Sequence, residues 1–235
     1  MPDLVNGFLL YVVFLLSTTF HEAAHAWAAL RGGDLTAFRG GQVTLDPRPH
    51  IRREPIGMVV LPLISVLISG WPLGFASAPY DPQWAMKYPR RAGWMALAGP
   101  GANLILVLLA AVLINVGVAA GVFVAPETIH FSDVTAAAEG AASWWRGIAA
   151  LLGAVFALNL LLFIFNLLPV PPLDGSAALV LFLPQHLVPR YQRVITFNVQ
   201  LSWVGIFIAW RLFDPLFDPI FSLALRLLYP GLSYG

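Results

Sequence analysis

Two histidines and a glutamate stand together in residues 17–27, "STTFHEAAHAW". His21 and His25 are four residues apart, and on a helix positions i and i+4 share one face, a turn apart. Two imidazoles so placed can bind one zinc ion. Glu22, beside His21, can reach a water molecule at that ion and act as its general base, as in a zinc hydrolase. The plain alternative is three unrelated polar residues. The surroundings argue against it, because the stretch continues an apolar run that opens "FLLYVVFLL". Ionisable groups inside such a helix are costly and are by default functional.

The chain has no cysteine, so a metal has to draw on His, Asp and Glu. A catalytic zinc takes three protein ligands and keeps a fourth position open. Asp174 is the candidate for the third. It follows a proline-broken apolar stretch, "FNLLPVPPLDG", and Gly175 after it allows close backbone approach. Asp174 could instead cap a helix over 175–183, and the residues alone leave both roles open. Depth agrees with a pairing. His21 lies ten residues before Arg31, about 15 Å along a helix, and Asp174 lies sixteen before Arg190.

The elements that must position these groups are membrane helices. Hydrophobic residues make up 59% of the 235 and charged residues 11%, against about 45–50% and about 25% in soluble domains. Mean hydropathy is +0.78. In lipid every backbone polar group needs an internal partner, and the apolar runs do not alternate as barrel strands do. The fold expected is an all-α polytopic membrane protein of about five to six membrane helices, with 1–235 as a single domain. Net charge is +1, which gives no reason to expect nucleic acid. The N-terminal run lacks a basic flank and carries the candidate site, so it reads as a retained helix.

Apolar spans are expected at about 6–30, 92–124, 147–169 and 194–210, with 211–228 a short or interfacial helix. Residues 34–54 are polar, with Thr and Val around Gly40-Gly41, and read as a small β-hairpin and loop. Residues 55–78 are apolar but broken by Pro62, Gly70, Pro72 and Gly74. Five Arg in 31–54, and Lys87, Arg90 and Arg91 in 79–91, should face the cytoplasm together. That places 55–78 as a re-entrant segment, and the acidic 125–145 stretch outside.

"HEAAH" early in one apolar helix, "LAGPGANL" opening another and "NLLPVPPLDG" later resemble the site-2 protease family of intramembrane zinc metalloproteases. The resemblance covers almost the whole chain and is closest to the compact bacterial and archaeal branch, with "TLDP" and "GFASAPYDP" between the motifs. It implies that His21, His25 and Asp174 bind one zinc, that Glu22 is the base, and that Asn166 holds substrate or stabilises the oxyanion. The PDZ and CBS domains of larger members are absent from this sequence.

The function expected is endoproteolysis of a transmembrane protein substrate, with the active site in the cytoplasmic half of a prokaryotic cell membrane. The alternative is a membrane protein that binds or transports zinc without proteolysis; an inactive relative is a third. Among the remaining polar residues, His50 reads as a surface-loop histidine, or else as a gate or a support behind the site residues, and His130 and His186 as interfacial. Asn103 and Asn159 read as interhelical hydrogen-bonding groups, Asn103 supporting the active-site helices. Gly99 and Gly101 read as tight-packing positions, and Trp144 and Trp145 as interfacial anchors.

Overall fold

The computed structural model describes residues 3–231. Helix α1, Leu4–Gly32, starts where Asp3 accepts hydrogen bonds from the Val5 and Asn6 N–H groups at 3.1 and 3.2 Å. It stops at Gly33, whose φ of 96° suits glycine; the Gly33 and Asp34 N–H groups close on the Leu30 and Ala29 carbonyls. Just ahead of the histidines, the Thr18 and Thr19 hydroxyls donate to the Phe14 and Leu15 carbonyls, each at 2.7 Å. Polar side chains are thus satisfied inside the helix before the site begins.

Residues 34–54 form two short helices, α2 (Thr36–Arg39) and α3 (Pro47–Arg53), in place of the hairpin expected there. Local signals explain the correction. Asp46 accepts from the Arg48 N–H and Pro47 takes a first-turn position, which together start a helix. Gly40-Gly41 closes α2, with the Gln42 N–H bonded to the Ala37 carbonyl. The glycines end a helix here and do not turn a strand.

A π-helical turn, Ile56–Val60, runs straight into α4, Leu61–Ser69. The two together measure about 21 Å, short of a hydrocarbon core of about 30 Å. The chain then reverses at Gly70 and returns extended. The Phe75 N–H bonds the Gly57 carbonyl at 3.1 Å, Arg53 Nε donates to the Ser77 carbonyl, and the Ser77 hydroxyl donates to Glu54. Residues 55–78 therefore leave and return at one end, the course expected of a re-entrant segment. Gly57 permits the approach, since a Cβ there would lie 2.1 Å from the Phe75 carbonyl oxygen.

Asp81 caps α5, Pro82–Lys87, and α6, Pro89–Ala119, continues helical through Pro100. A two-residue antiparallel ladder, β1 (Phe123–Val124) with β2 (Ala136–Ala137), ties the following loop. Then come α7, Trp144–Asn166, and an irregular stretch over 167–173. Helix α8 is only Asp174–Ala178, followed by a 3-10 turn, Leu179–Leu181, in place of one helix over 175–183. Finally come α9, Val188–Phe197, and α10, Val199–Leu228. α10 is one helix where the sequence indicated a break at 211. Pro215 and Pro219 each remove a helix hydrogen bond. Phe213, Phe217 and Phe221, one turn apart, stack at 5.0 and 5.3 Å and brace the helix against Phe131.

α1, α6 and α7 pack on one another, and α8 packs on α6. Leu10, Val13 and Phe14 of α1 bury against Ala154 and Leu158 of α7. Ile114 of α6 and Phe156 and Leu160 of α7 share a second core with Phe217 and Leu225 of α10. Among the described residues, α1, α6 and α7 are long and apolar enough to cross a membrane. A count of five or six would also need residues 55–78, too short for a full crossing, and α10, which carries Arg211, Asp214 and Asp218 in its middle.

Candidate metal centre

The i, i+4 spacing on α1 does what it should: His21 Nε2 and His25 Nε2 lie 3.0 Å apart, both rings buried. Asp174, at the start of α8, brings Oδ2 to 3.1 Å from His21 Nε2 and 3.2 Å from His25 Nε2. Of the two roles left open, Asp174 does not take the cap. Leu173 occupies the N-cap and makes no side-chain cap bond, so the Asp174 carboxylate is free to face the histidines. Gly175 allows this placement, because a Cβ on it would lie 2.2 Å from the Leu167 carbonyl oxygen.

The other ring nitrogens settle the tautomers. His25 Nδ1 is 2.7 Å from the Met95 carbonyl oxygen, which can only accept, so Nδ1 carries the proton. His21 Nδ1 is 2.6 Å from Asn103 Oδ1. The Asn103 amide is oriented in turn: its Nδ2 donates to Asn159 Oδ1, and Asn159 Nδ2 donates to Ser17 Oγ and to the Val155 carbonyl. A backbone carbonyl therefore anchors a relay across α7, α6 and α1 that makes His21 Nδ1 a donor as well. In the neutral rings both Nε2 atoms are left as lone pairs, aimed at each other and at a carboxylate oxygen that has no hydrogen-bond partner.

Three converging lone pairs repel unless a cation lies between them. Ligands at about 2.0–2.1 Å in a tetrahedral zinc site stand about 3.3 Å from each other, close to the three separations seen. Gly99 of α6 completes the cradle, since a Cβ there would lie 2.3 Å from His25 Nε2 and 2.5 Å from His21 Nε2. The residues fit the metal. Gly101, by contrast, has open space where its Cβ would go, so only one of the two glycines is a tight contact.

Glu22 is buried beside the pair, and its Oε2 has no hydrogen-bond partner. A cavity of about 670 Å³ opens onto Glu22, His21, His25 and Asp174 and is walled by Phe75 of the returning segment and by Trp203 of α10. Asn166, at the end of α7, lines the same cavity, with Nδ2 donating to the Leu162 carbonyl at 3.0 Å. The sequence-derived residues are thus gathered at one place, Asn166 at the cavity wall.

His50 is not on the surface. It is 2% exposed on α3, with Nε2 3.0 Å from the Thr44 carbonyl oxygen. His130 and His186 are exposed. Two contributions escaped sequence reasoning. The Met95 carbonyl carries no side-chain signature, and the wall from α10 joins the site only through tertiary packing.

The model of peptidase family M50 matches residues 9–208. A protein of Bacillus subtilis (strain 168) named "Putative zinc metalloprotease YwhC" is 28% identical over 228 residues, 94% of this chain and 93% of the relative. The Rip2 protein of Mycobacterium tuberculosis (strain ATCC 25618 / H37Rv), similarly named, is 32% identical over 195 residues; 83% of this chain aligns with 63% of that one. The corresponding protein of Mycolicibacterium smegmatis is 32% identical over 192 residues, 81% of this chain and 62% of its own. No solved structure matches the chain. The family match over most of the chain and the three-lone-pair cradle lead to one conclusion: the chain belongs to peptidase family M50, the site-2 protease family, and is a zinc metalloprotease.

Proposed function

We propose that the chain is an intramembrane endopeptidase that cleaves transmembrane segments of other membrane proteins, with Glu22 as general base and one zinc held by His21, His25 and Asp174. The observation that carries this reading is the convergence of His21 Nε2, His25 Nε2 and Asp174 Oδ2 on the wall of a cavity set among apolar helices. The ion supplies Lewis acidity, which makes a water molecule acidic near pH 7 and polarises a carbonyl.

Everything else falls to the chain. The unpartnered Glu22 carboxylate takes a proton from the attacking water and returns it to the leaving amine. Asn166 offers an amide N–H that can exchange the Leu162 carbonyl for the substrate, in an oxyanion-stabilising or positioning role. The Asn103–Asn159–Ser17 relay keeps the His21 ring from turning. The substrate segment must unwind at the cut, because a helical peptide hides its carbonyl in its own i→i−4 bond. Lys and Arg cluster in 31–54 and 79–91, which supports an active site in the cytoplasmic half of a prokaryotic cell membrane.

The test pairs metal content with cleavage of a transmembrane substrate for wild type, Glu22→Gln and Asp174→Ala. One zinc per chain in wild type and Glu22→Gln is expected, with cleavage by Glu22→Gln down about 100- to 10,000-fold. Asp174→Ala should lose both. Full cleavage by Glu22→Gln would remove Glu22 as base. Bound zinc with no cleavage of any membrane segment would favour a binding or transport role.

A further inference from the structure

α10 runs from the site to the far end of the bundle. Gly205 lies against Pro171, where a Cβ would come within 1.7 Å of the carbonyl oxygen. Phe213 meets Phe165 near the end of α7, and the Tyr229 hydroxyl donates to the Val134 carbonyl just ahead of β2. One side of the helix is therefore committed to the bundle. The side that carries Phe207 and Trp210 is open, and both are exposed.

Arg211, Asp214 and Asp218 stand among those apolar side chains and are exposed too. Their i, i+3, i+7 spacing puts them on one face, and Arg226, two turns beyond Asp218, continues it. None of the four makes an ion pair with any described residue; Arg211 has only the Phe207 ring, 5.5 Å from its guanidinium carbon. Exposed apolar side chains, Phe207 and Trp210, adjoin the charges on the helix, and charges left unpaired beside such side chains are expensive wherever that face meets lipid. Pro215 and Pro219, also exposed, remove the N–H groups that would bond the carbonyls of Arg211 and Pro215. The same stretch of helix thus lacks counter-charges and hydrogen-bond donors together. In a membrane such carbonyls are satisfied by neighbouring helices.

The stripe carries two Arg and two Asp, so it is complementary to itself, which is what an isologous two-fold contact requires. Two copies in one membrane share an orientation, so their α10 helices meet parallel. Arg211 then lies about 4.5 Å along the axis from the partner's Asp214, within reach of a guanidinium. Its five donors can also serve the freed carbonyls. We propose that the open face of α10 is where two copies of this chain meet, Arg211 of each paired with Asp214 of the other.

The chain has no cysteine, so a single introduced thiol reports its own surroundings. Phe207→Cys and Ser222→Cys, which bracket Arg211, Asp214 and Asp218, should form disulfide-linked dimers on oxidation in native membranes. Leu108→Cys, exposed on the open side of α6, should not. Subunit counting of the cysteine-free chain in dilute vesicles should give two. Arg211→Asp or Asp214→Arg alone should cut the dimer fraction at least tenfold, and the double reversal should restore it, which also excludes misfolding as the cause. A monomer in vesicles, equal cross-linking at Leu108, or a dimer indifferent to Arg211→Asp would overturn the proposal. Cross-linking at α10 to a different protein, with the chain itself counted as one, would do the same.

Discussion

Two regions of this molecule place polar groups inside apolar helices, and they do so in opposite ways. Between α1, α6 and α7, each side chain in the line Ser17, Asn159, Asn103 and His21 is bonded to the next, and the line is anchored on the Val155 carbonyl. Along α10, Arg211, Asp214 and Asp218 face outward with no ion-pair partner among the described residues. The first region is closed along its relay and open at its three converging lone pairs and at Glu22 Oε2, the pattern of a metal site. The second leaves its charges open, the feature on which the proposed contact between two copies rests. In an apolar solvent the unsatisfied atoms show where something else belongs.

Two substitutions test how closed the first region is, and a third tests a polar group outside both regions. The largest effect should come from Gly99→Ala, because the new methyl has to displace the Nε2 atoms of both His21 and His25. Zinc affinity, followed by competition with a chelator, should drop by at least about 100-fold, and overpacking should cost about 1–3 kcal/mol of stability. Unchanged affinity would mean that α6 yields easily and that the cradle is not rigid. Next is Asn103→Leu, which frees His21 Nδ1 and leaves Asn159 Oδ1 without its donor. A loss of about 10- to 100-fold in zinc affinity is expected, with His25 still in place; the same titration reads it. An unchanged value would show that the relay orients nothing.

The smallest effect concerns a polar group outside the spans. Burial alone would raise the Asp34 pKa. Hydrogen bonds from the Thr36 hydroxyl, the Asp81 N–H and the Thr36 N–H, with Arg39 nearby, outweigh it and hold the pKa below the ordinary value. A depressed carboxyl stabilises the fold above its unfolded pKa, about 3.9, and that contribution fades as pH falls through the lower folded value. Wild type should therefore melt above Asp34→Asn at pH 6, and the gap in Tm should narrow on acidification below pH 4. A gap that stays constant with pH would mean that Asp34 acts by shape alone.

Much of the first region was legible in the sequence. The His21–His25 spacing is a geometric statement about a helix, and the scarcity of acids pointed to Asp174. Asn103 and Asn159 were readable as interhelical bonds because amides in apolar runs need partners. What the sequence did not show was the direction of each bond, and therefore which nitrogen bears a proton. The Met95 carbonyl could not be found at all, since every residue has one. The hairpin over 34–54 failed because Thr and Val near glycines suit a strand locally, while Asp46-Pro47 starts a helix more strongly. His50 was misplaced because arginines around it suggested solvent, yet α3 turns them outward and the imidazole inward. The break at 211 failed for a tertiary reason: a row of stacked phenylalanines holds α10 together across two prolines.

The distance in sequence between the two halves of the metal cradle bears on when the protein can act. His25 and Asp174 are 149 positions apart (174 − 25), so closing the triad closes most of the chain into one loop. A nascent chain that has inserted α1, α6 and α7 already holds His21, His25 and Glu22, but not the Asp174 carboxylate. It gains that carboxylate only after residue 174 has been made and α8 has docked on α6. A chain cut short before that point carries its peptidase motif as an incomplete set of ligands. On the proposed ligand set, the order of synthesis withholds the third ligand until the last quarter of the chain is being made.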